Sequence, residues 1–248
     1  MKLHYVFGMA KDFGGKPWSW IHYMSIRTAA AVHPGAEIVM WLQHEPAGQW
    51  WDAARPYLTV RKITAPDSIF GRPLVHPAHR ADVVRLQALI SEGGVYMDAD
   101  VWCLRPFDEL KDVPWWMARQ GKSYGLCNAT MGGRPGAPFA TRWLERYDTF
   151  RSKGRDRFWD EHSVRLPLQL ALSHGEDITI LPANRCFEPS WTRILEIFKP
   201  RRRRQYLDES LSVHLWESKS WEYLKRLGPG VIDPTSEIGG YLQELELL

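Results

Sequence analysis

The sequence is poor in several features that would each have pointed somewhere. It has only three cysteines, Cys103, Cys127 and Cys186, far apart and odd in number. They form neither a disulfide framework nor a zinc pattern, and they fit a reducing compartment. The net charge of +3 is too small to argue for a nucleic-acid partner. No apolar run approaches a membrane span, and MKLHYVFGMAKDFGG at the start is too short in apolar residues for a signal peptide. The expected location is therefore the cytoplasm. Internal repeats and low-complexity linkers are also missing. The expectation is one α/β domain over residues 1–248, with a mild composition shift near residue 110.

What the sequence has in excess is tryptophan. There are 13, and aromatics reach 12% of the chain. Most such residues pack in cores, but their flat faces also stack on sugars and bases. The excess therefore raises the expectation of a carbohydrate or nucleotide ligand.

The first half alternates strand and helix patterns. KLHYVFG (2–8) reads as a strand, and residues 17–32 carry apolar positions at helical spacing until Pro34-Gly35. AEIVMWL (36–42) is a continuous apolar run of the kind found in strands buried on both faces. A polar helix near 47–55 and a strand at TVRKIT (59–64) follow. After a proline-rich loop at 65–77, residues 78–91 return to helix, ended by Gly93-Gly94. Val95–Asp100 reads as a short strand running into a turn. Such alternation predicts a mostly parallel, Rossmann-like sheet flanked by helices. The second half is less regular. It offers strands at 115–120, 177–182 and 212–216, helices at 138–151 and 164–174, and a last helix from near Ser220.

The chemistry concentrates in HRADVVRLQALISEGGVYMDADVWCLRPFD, residues 79–108. Asp98 and Asp100 are two apart, so in an extended segment their carboxylates point to one side. Two converging carboxylates repel unless a cation sits between them. Hard oxygen ligands suit Mg²⁺ or Mn²⁺, which also bind diphosphates. Gly93-Gly94 lets the backbone turn sharply or lie close to a ligand. Asp82 and Arg85 lie three apart on one helix face, which alone describes a salt bridge. With Arg80, they are also candidates for bonding sugar hydroxyls and phosphates.

The whole run, R-A-D-x-x-R-x-x-x-L-x-x-x-G-G-x-Y-x-D-x-D, resembles the sugar-binding region with a DXD motif found in glycosyltransferases of the GT-A fold. Similar families include α-mannosyltransferases, α-1,4-galactosyltransferases, capsule and lipopolysaccharide enzymes, and clostridial toxin glucosyltransferases. The resemblance implies a hexosyltransferase using a nucleotide-sugar, UDP favoured over GDP, with Mn²⁺ or Mg²⁺. Residues 1–110 would form the nucleotide-sugar half and 111–248 the acceptor half. It implies Asp98, Asp100 and Arg85 as catalytic residues. Tyr5, Val6, Phe7 and Gly8 would lie beneath the base, with Tyr96 and Ala99 beside the donor. Asn128, in NATMGGRPGAPF, would line the donor-sugar pocket. SVHLWESKSW (212–221) is similar to the C-terminal segment of these enzymes. There His214 would complete the metal shell, and Trp216, Ser218 and Trp221 would close over the diphosphate.

Two positions depart from the family pattern: Ala81 stands where many relatives have serine, and Leu166-Pro167 where they have Gly-Pro. The reaction implied is retaining, with a glycan or glycolipid acceptor and no enzymic nucleophile. A metal-dependent phosphohydrolase or nucleotidyltransferase is the rival, since paired carboxylates serve phosphoryl chemistry too. The Arg201–Arg204 run is a candidate contact for an anionic acceptor or the inner face of a membrane.

Overall fold

The computed structural model describes residues 1–121, 124–200 and 205–248. The first half builds β1 (Lys2–Phe7), α1 (Trp20–Val32), β2 (Glu37–Leu42), α2 (Gln49–Ala54) and β3 (Thr59–Lys62). A small hairpin, β4 (Ser68–Ile69) and β5 (Arg72–Pro73), interrupts the expected loop. Then come α3 (Pro77–Glu92), β6 (Gly94–Met97) and β7 (Val101–Cys103). The second half adds β8 (Trp115–Gln120), β9 (Gly125–Gly133), α4 (Pro138–Glu145), α5 (Leu166–Ser173), β10 (Thr179–Leu181), β11 (Ser212–His214), α6 (Glu217–Leu224) and α7 (Glu237–Glu244).

The main sheet runs β10-β8-β9-β6-β1-β2-β3. β1 pairs in parallel with β2 and β6, and β2 with β3. β9 alone is reversed, lying antiparallel between β6 and β8. The sheet is therefore mostly parallel, as the alternation predicts. Period-two side chains divide two cores across it. Leu3, Tyr5, Val95, Met97 and Trp116 join the core under α1, while Val6, Tyr96, Trp115 and Met117 join the core under α3, α4 and α5. Both faces are covered by helices, which is why the central strands carry unbroken apolar runs.

Several second-half elements depart from the sequence reading. β9 is a nine-residue strand in a stretch read only as a site segment. α4 stops at Glu145, and a tighter turn over Arg146–Thr149 replaces its expected continuation. The helix expected near Ser220 begins at Glu217, and α7 was not foreseen.

Gly93 and Gly94 serve strand packing, not a ligand. Both have positive φ, 65° and 97°. A Cβ on Gly93 would fall 2.6 Å from the Pro135 side chain, and one on Gly94 would fall 2.4 Å from the Lys2 carbonyl oxygen. The pair thus ends α3 and lets β6 lie directly against β1, at the opposite end of β6 from Asp98.

Candidate active site

Asp98 follows the last residue of β6, where its N–H donates to the Ala129 carbonyl at 2.8 Å. The chain then turns, with the Val101 N–H donating to the Asp98 carbonyl at 3.0 Å. The two aspartates therefore converge through a tight turn and not through strand alternation. β7 leaves that turn and pairs antiparallel with β11, which sets His214 opposite Val101. The Leu215 N–H continues the ladder onto the Asp100 carbonyl at 2.9 Å. This ladder brings a histidine more than a hundred residues away against the aspartate pair.

Ligand atoms of Asp98, Asp100 and His214 all lie within 4.8 Å of one another. His214 Nε2 is 3.2 Å from Asp100 Oδ2. The Glu217 N–H, opening α6, donates to the same oxygen at 2.7 Å. Burial opposes ionisation of Asp100, but the His214 charge, its hydrogen bond and the Glu217 N–H hold the carboxyl well below the usual range. Burial also opposes a charged His214, yet Asp100 raises its pKa above the ordinary value. Asp98 goes upward, because burial outweighs Arg85 and Asp100 adds repulsion.

Arg85 is buried and organises the rest. Its guanidinium lies 3.1 Å from Asp98 and 3.4 Å from Asp82, and donates to the Asn128 carbonyl at 3.0 Å. Asn128 Nδ2 donates to Asp82 at 2.7 Å. The Tyr96 hydroxyl donates to Asp98 at 2.6 Å, and the Arg85 guanidinium stands 4.4 Å from the centre of the Tyr96 ring. The Asp82–Arg85 pair is thus both a salt bridge and the support that aims Asp98.

Two clefts meet here. One, of about 560 Å³, runs from the end of β1 over Val6, Phe7 and Gly8 to Tyr96, Ala99 and Asp100. The other, of about 390 Å³, is bounded by Asp82, Asn128, Trp159, Trp191 and Trp216. Arg85, Asp98, His214 and Ser218 line both.

Most of the predicted residues therefore gather, and three do not. Tyr5 is fully buried under α1, its hydroxyl directed at the Ser25 carbonyl, so it cannot touch a base. It faces the core because β1 side chains alternate and Val6 faces the cleft. Arg80 donates through Nε to the Leu74 carbonyl at 2.9 Å and lines neither cleft. Trp221 lies along α6, also away from both. Trp216 is present but backs His214, with ring centres 4.2 Å apart, and its indole N–H donates to the Pro189 carbonyl. Ala81, which departs from serine, lines the first cleft. Leu166 and Pro167 are buried at the start of α5. The Arg201–Arg204 run lies outside the described residues.

Other site residues escaped the sequence reading. Glu217 bridges His22 at 3.0 Å and Lys16 at 3.3 Å on the wall of the first cleft. Glu217 stands inside the SVHLWESKSW segment, so position alone could have flagged it. Trp159 and Trp191 were signalled only by the tryptophan excess.

The donor set fits a divalent cation. Two carboxylates and one imidazole converge, and His214 Nδ1 is buried without a hydrogen-bond partner, so the ring is not committed at both nitrogens. Asp98, Asp100 and His214 would hold the ion. Among the described residues, the one other group of possible ligands is His174, Glu176 and Asp177, where Asp177 is bound by Arg142.

Comparison with known proteins agrees with this geometry. The family model described as the glycosyltransferase sugar-binding region containing DXD motif matches residues 22–115. Glucan organizing enzyme 1 of Cryptococcus neoformans var. grubii is 34% identical over 241 residues, which cover 92% of this chain and 65% of that protein. Inositol phosphoceramide mannosyltransferase 3 of Schizosaccharomyces pombe is 32% identical over 134 residues, covering 54% of this chain and 34% of that protein. The chain thus spans under two thirds of these relatives' lengths. The glycosyltransferase GlyE of Streptococcus pneumoniae TIGR4 aligns over 100% of this chain and 61% of its own, with a TM-score of 0.54 and 10% identity, a likeness of fold alone. The fold is that of the GT-A glycosyltransferases. The matched region, residues 22–115, is similar to that of glycosyltransferases that carry the DXD motif.

Proposed function

We propose that this protein moves a hexose from a nucleotide-sugar, UDP-linked first and GDP-linked second, to a glycan or glycolipid acceptor. The observation that carries this reading is the placement of Asp98, Asp100 and His214 where two clefts meet. A donor lying in the first cleft, over Phe7 and Gly8, would have its diphosphate at the aspartate turn and its sugar facing the second. This arrangement supports residues 1–110 as the donor half and 111–248 as the acceptor half. The names of the relatives carry mannose as a candidate sugar, and a glucan or an inositol phosphoceramide as candidate acceptors.

A divalent cation held at the three ligands would neutralise charge on the departing nucleoside diphosphate. The chain's own residues do the rest. Arg85 and Tyr96 fix Asp98 in place. Lys16, held by Glu217 at 3.3 Å, stands on the wall of the first cleft, where a donor's phosphates would lie. Acidic side chains on the second cleft are already engaged: Asp82 by Arg85 and Asn128, Asp98 by Arg85 and Tyr96, Asp160 by Tyr124 and Arg165. None stands free as a nucleophile. That supports retention by front-face displacement, in which the leaving phosphate accepts the acceptor's proton.

The rival phosphoryl chemistry would want a second metal beside the first. The other acidic group, at His174, Glu176 and Asp177, lines neither cleft. A thermal-shift panel of nucleotide-sugars with and without Mn²⁺ tests the reading. One donor should stabilise the protein only with metal, and Asp100→Ala should abolish the shift. No metal-dependent shift with any nucleotide would refute it.

A further inference from the structure

We propose that the second cleft is an acceptor site for a neutral oligosaccharide, gripped by an aromatic wall that ends at His214. The inference rests on the hexosyl-transfer reading and names the acceptor class it leaves open. Trp191, Trp216 and His214 make one side of the cleft continuous with the aspartate site. Trp191 lines the cleft and is 41% exposed, the one tryptophan of the 13 that is exposed and not buried or half-buried. Its ring meets Trp216 edge-on at 5.8 Å, and Trp216 packs on His214 at 4.2 Å. Trp159 lines both clefts. A sugar ring laid on Trp191 would have apolar C–H faces against the indole, with Gln120, Ser163 and Asn128 on the same cleft as partners for its hydroxyls.

The charge pattern selects a neutral ligand over an anionic lipid headgroup. Phosphate recognition calls for unengaged arginines or lysines in a cluster. In this cleft Arg85 is bound by two carboxylates. Lys219 is the single cation on its lining with no carboxylate partner among the described residues. Asp160, at the rim, adds negative charge balanced by Arg165. A phosphodiester would find one lysine and a surrounding of paired charges, whereas a neutral glycan needs only ring stacking and hydroxyl partners.

The test measures binding as well as turnover. Neutral gluco- and manno-oligosaccharides are titrated by saturation-transfer NMR against the wild type, Trp191→Ala and Trp191→Phe, beside vesicles containing phosphatidylinositol. At least one oligosaccharide series should bind the wild type. Its affinity should fall about ten-fold in Trp191→Ala and largely recover in Trp191→Phe. The Mn²⁺–nucleotide thermal shift should be the same in all three proteins, since Trp191 lines only the second cleft. Equal binding by wild type and Trp191→Ala, binding to vesicles alone, or no oligosaccharide binding would each overturn the proposal. A nucleotide shift that persists in those cases would leave the hexosyl-transfer reading standing, and loss of that shift would remove both.

Discussion

His214 Nε2 lies 3.2 Å from Asp100 Oδ2, in a pair almost wholly closed to solvent. The contact is set by backbone, because β11 pairs with β7 in a register that leaves His214 no other neighbourhood. With Asp100 raising its pKa against the effect of burial, His214 holds a proton at pH values where a free imidazole would begin to lose it.

A cation binding at this site must displace that proton. Mn²⁺ affinity is therefore expected to climb with pH through and above the ordinary histidine range, and to weaken as pH falls. Thermal shifts with Mn²⁺ from about pH 5.5 to about pH 8.5 should show the slope in the wild type. His214→Gln should bind more weakly and lose most of that slope. An unchanged slope in the variant would separate His214 from the metal.

Arg85 carries a second prediction. It is 5% exposed and engages Asp82, Asp98 and the Asn128 carbonyl. Arg85→Met would leave the buried Asp82 and the half-buried Asp98 without their cation, at a cost of about 3 kcal/mol. Urea denaturation should show a clearly lowered midpoint. Arg85→Lys should fold better yet lose most activity, since one ammonium cannot hold three partners in a fork. Wild-type activity in the lysine variant would contradict the positioning role.

Gly94→Ala should also be severe, because its φ of 97° and the 2.4 Å approach to the Lys2 carbonyl oxygen leave no room for a methyl group. The expected loss is about 2 kcal/mol or more, read from the same denaturation curves. A neutral effect would mean that the β1–β6 contact yields.

Stability should fall in mild acid, partly through His33. This ring stacks on Phe107 at 5.1 Å, its Nε2 is buried without a partner, and burial pushes its pKa down to about 4. The unfolded chain takes up a proton near pH 6.5, whereas the folded chain resists until about 4. The stability is thus present above the unfolded value and lost as pH drops between the two, by up to about 3 kcal/mol. Melting temperature against pH should flatten over that window in His33→Phe. An identical profile would place the acid sensitivity elsewhere.

The first half of the fold was legible because its signals are local. β1, β2 and α3 announce themselves by unbroken apolar runs or helical spacing, and the Asp98–Asp100 pair by the run before it. β9 was hidden by its own packing. Gly132 and Gly133 weaken any strand signal there, yet they are glycine because a Cβ would strike the Gly94 and Pro114 carbonyl oxygens at 2.6 and 2.4 Å. Tyr5 was misplaced for a related reason: strand identity was readable, but which face met the cleft was not. His214 could be linked to the aspartates only through family resemblance. Its partner strand β7 is three residues long and gives no periodic signal. Trp191 sits on a segment with no regular element, where only packing shows its use.

Product analysis decides whether a hexose reaches the acceptor. The protein is incubated with Mn²⁺, the nucleotide-sugar that stabilises it and a neutral oligosaccharide, and the mixture is resolved by mass spectrometry. The account predicts an acceptor one hexose heavier, formed in step with free nucleoside diphosphate, and neither product with Asp100→Asn. Release of nucleoside monophosphate and sugar phosphate, with the acceptor unchanged, would contradict it and establish phosphoryl chemistry at the same aspartates.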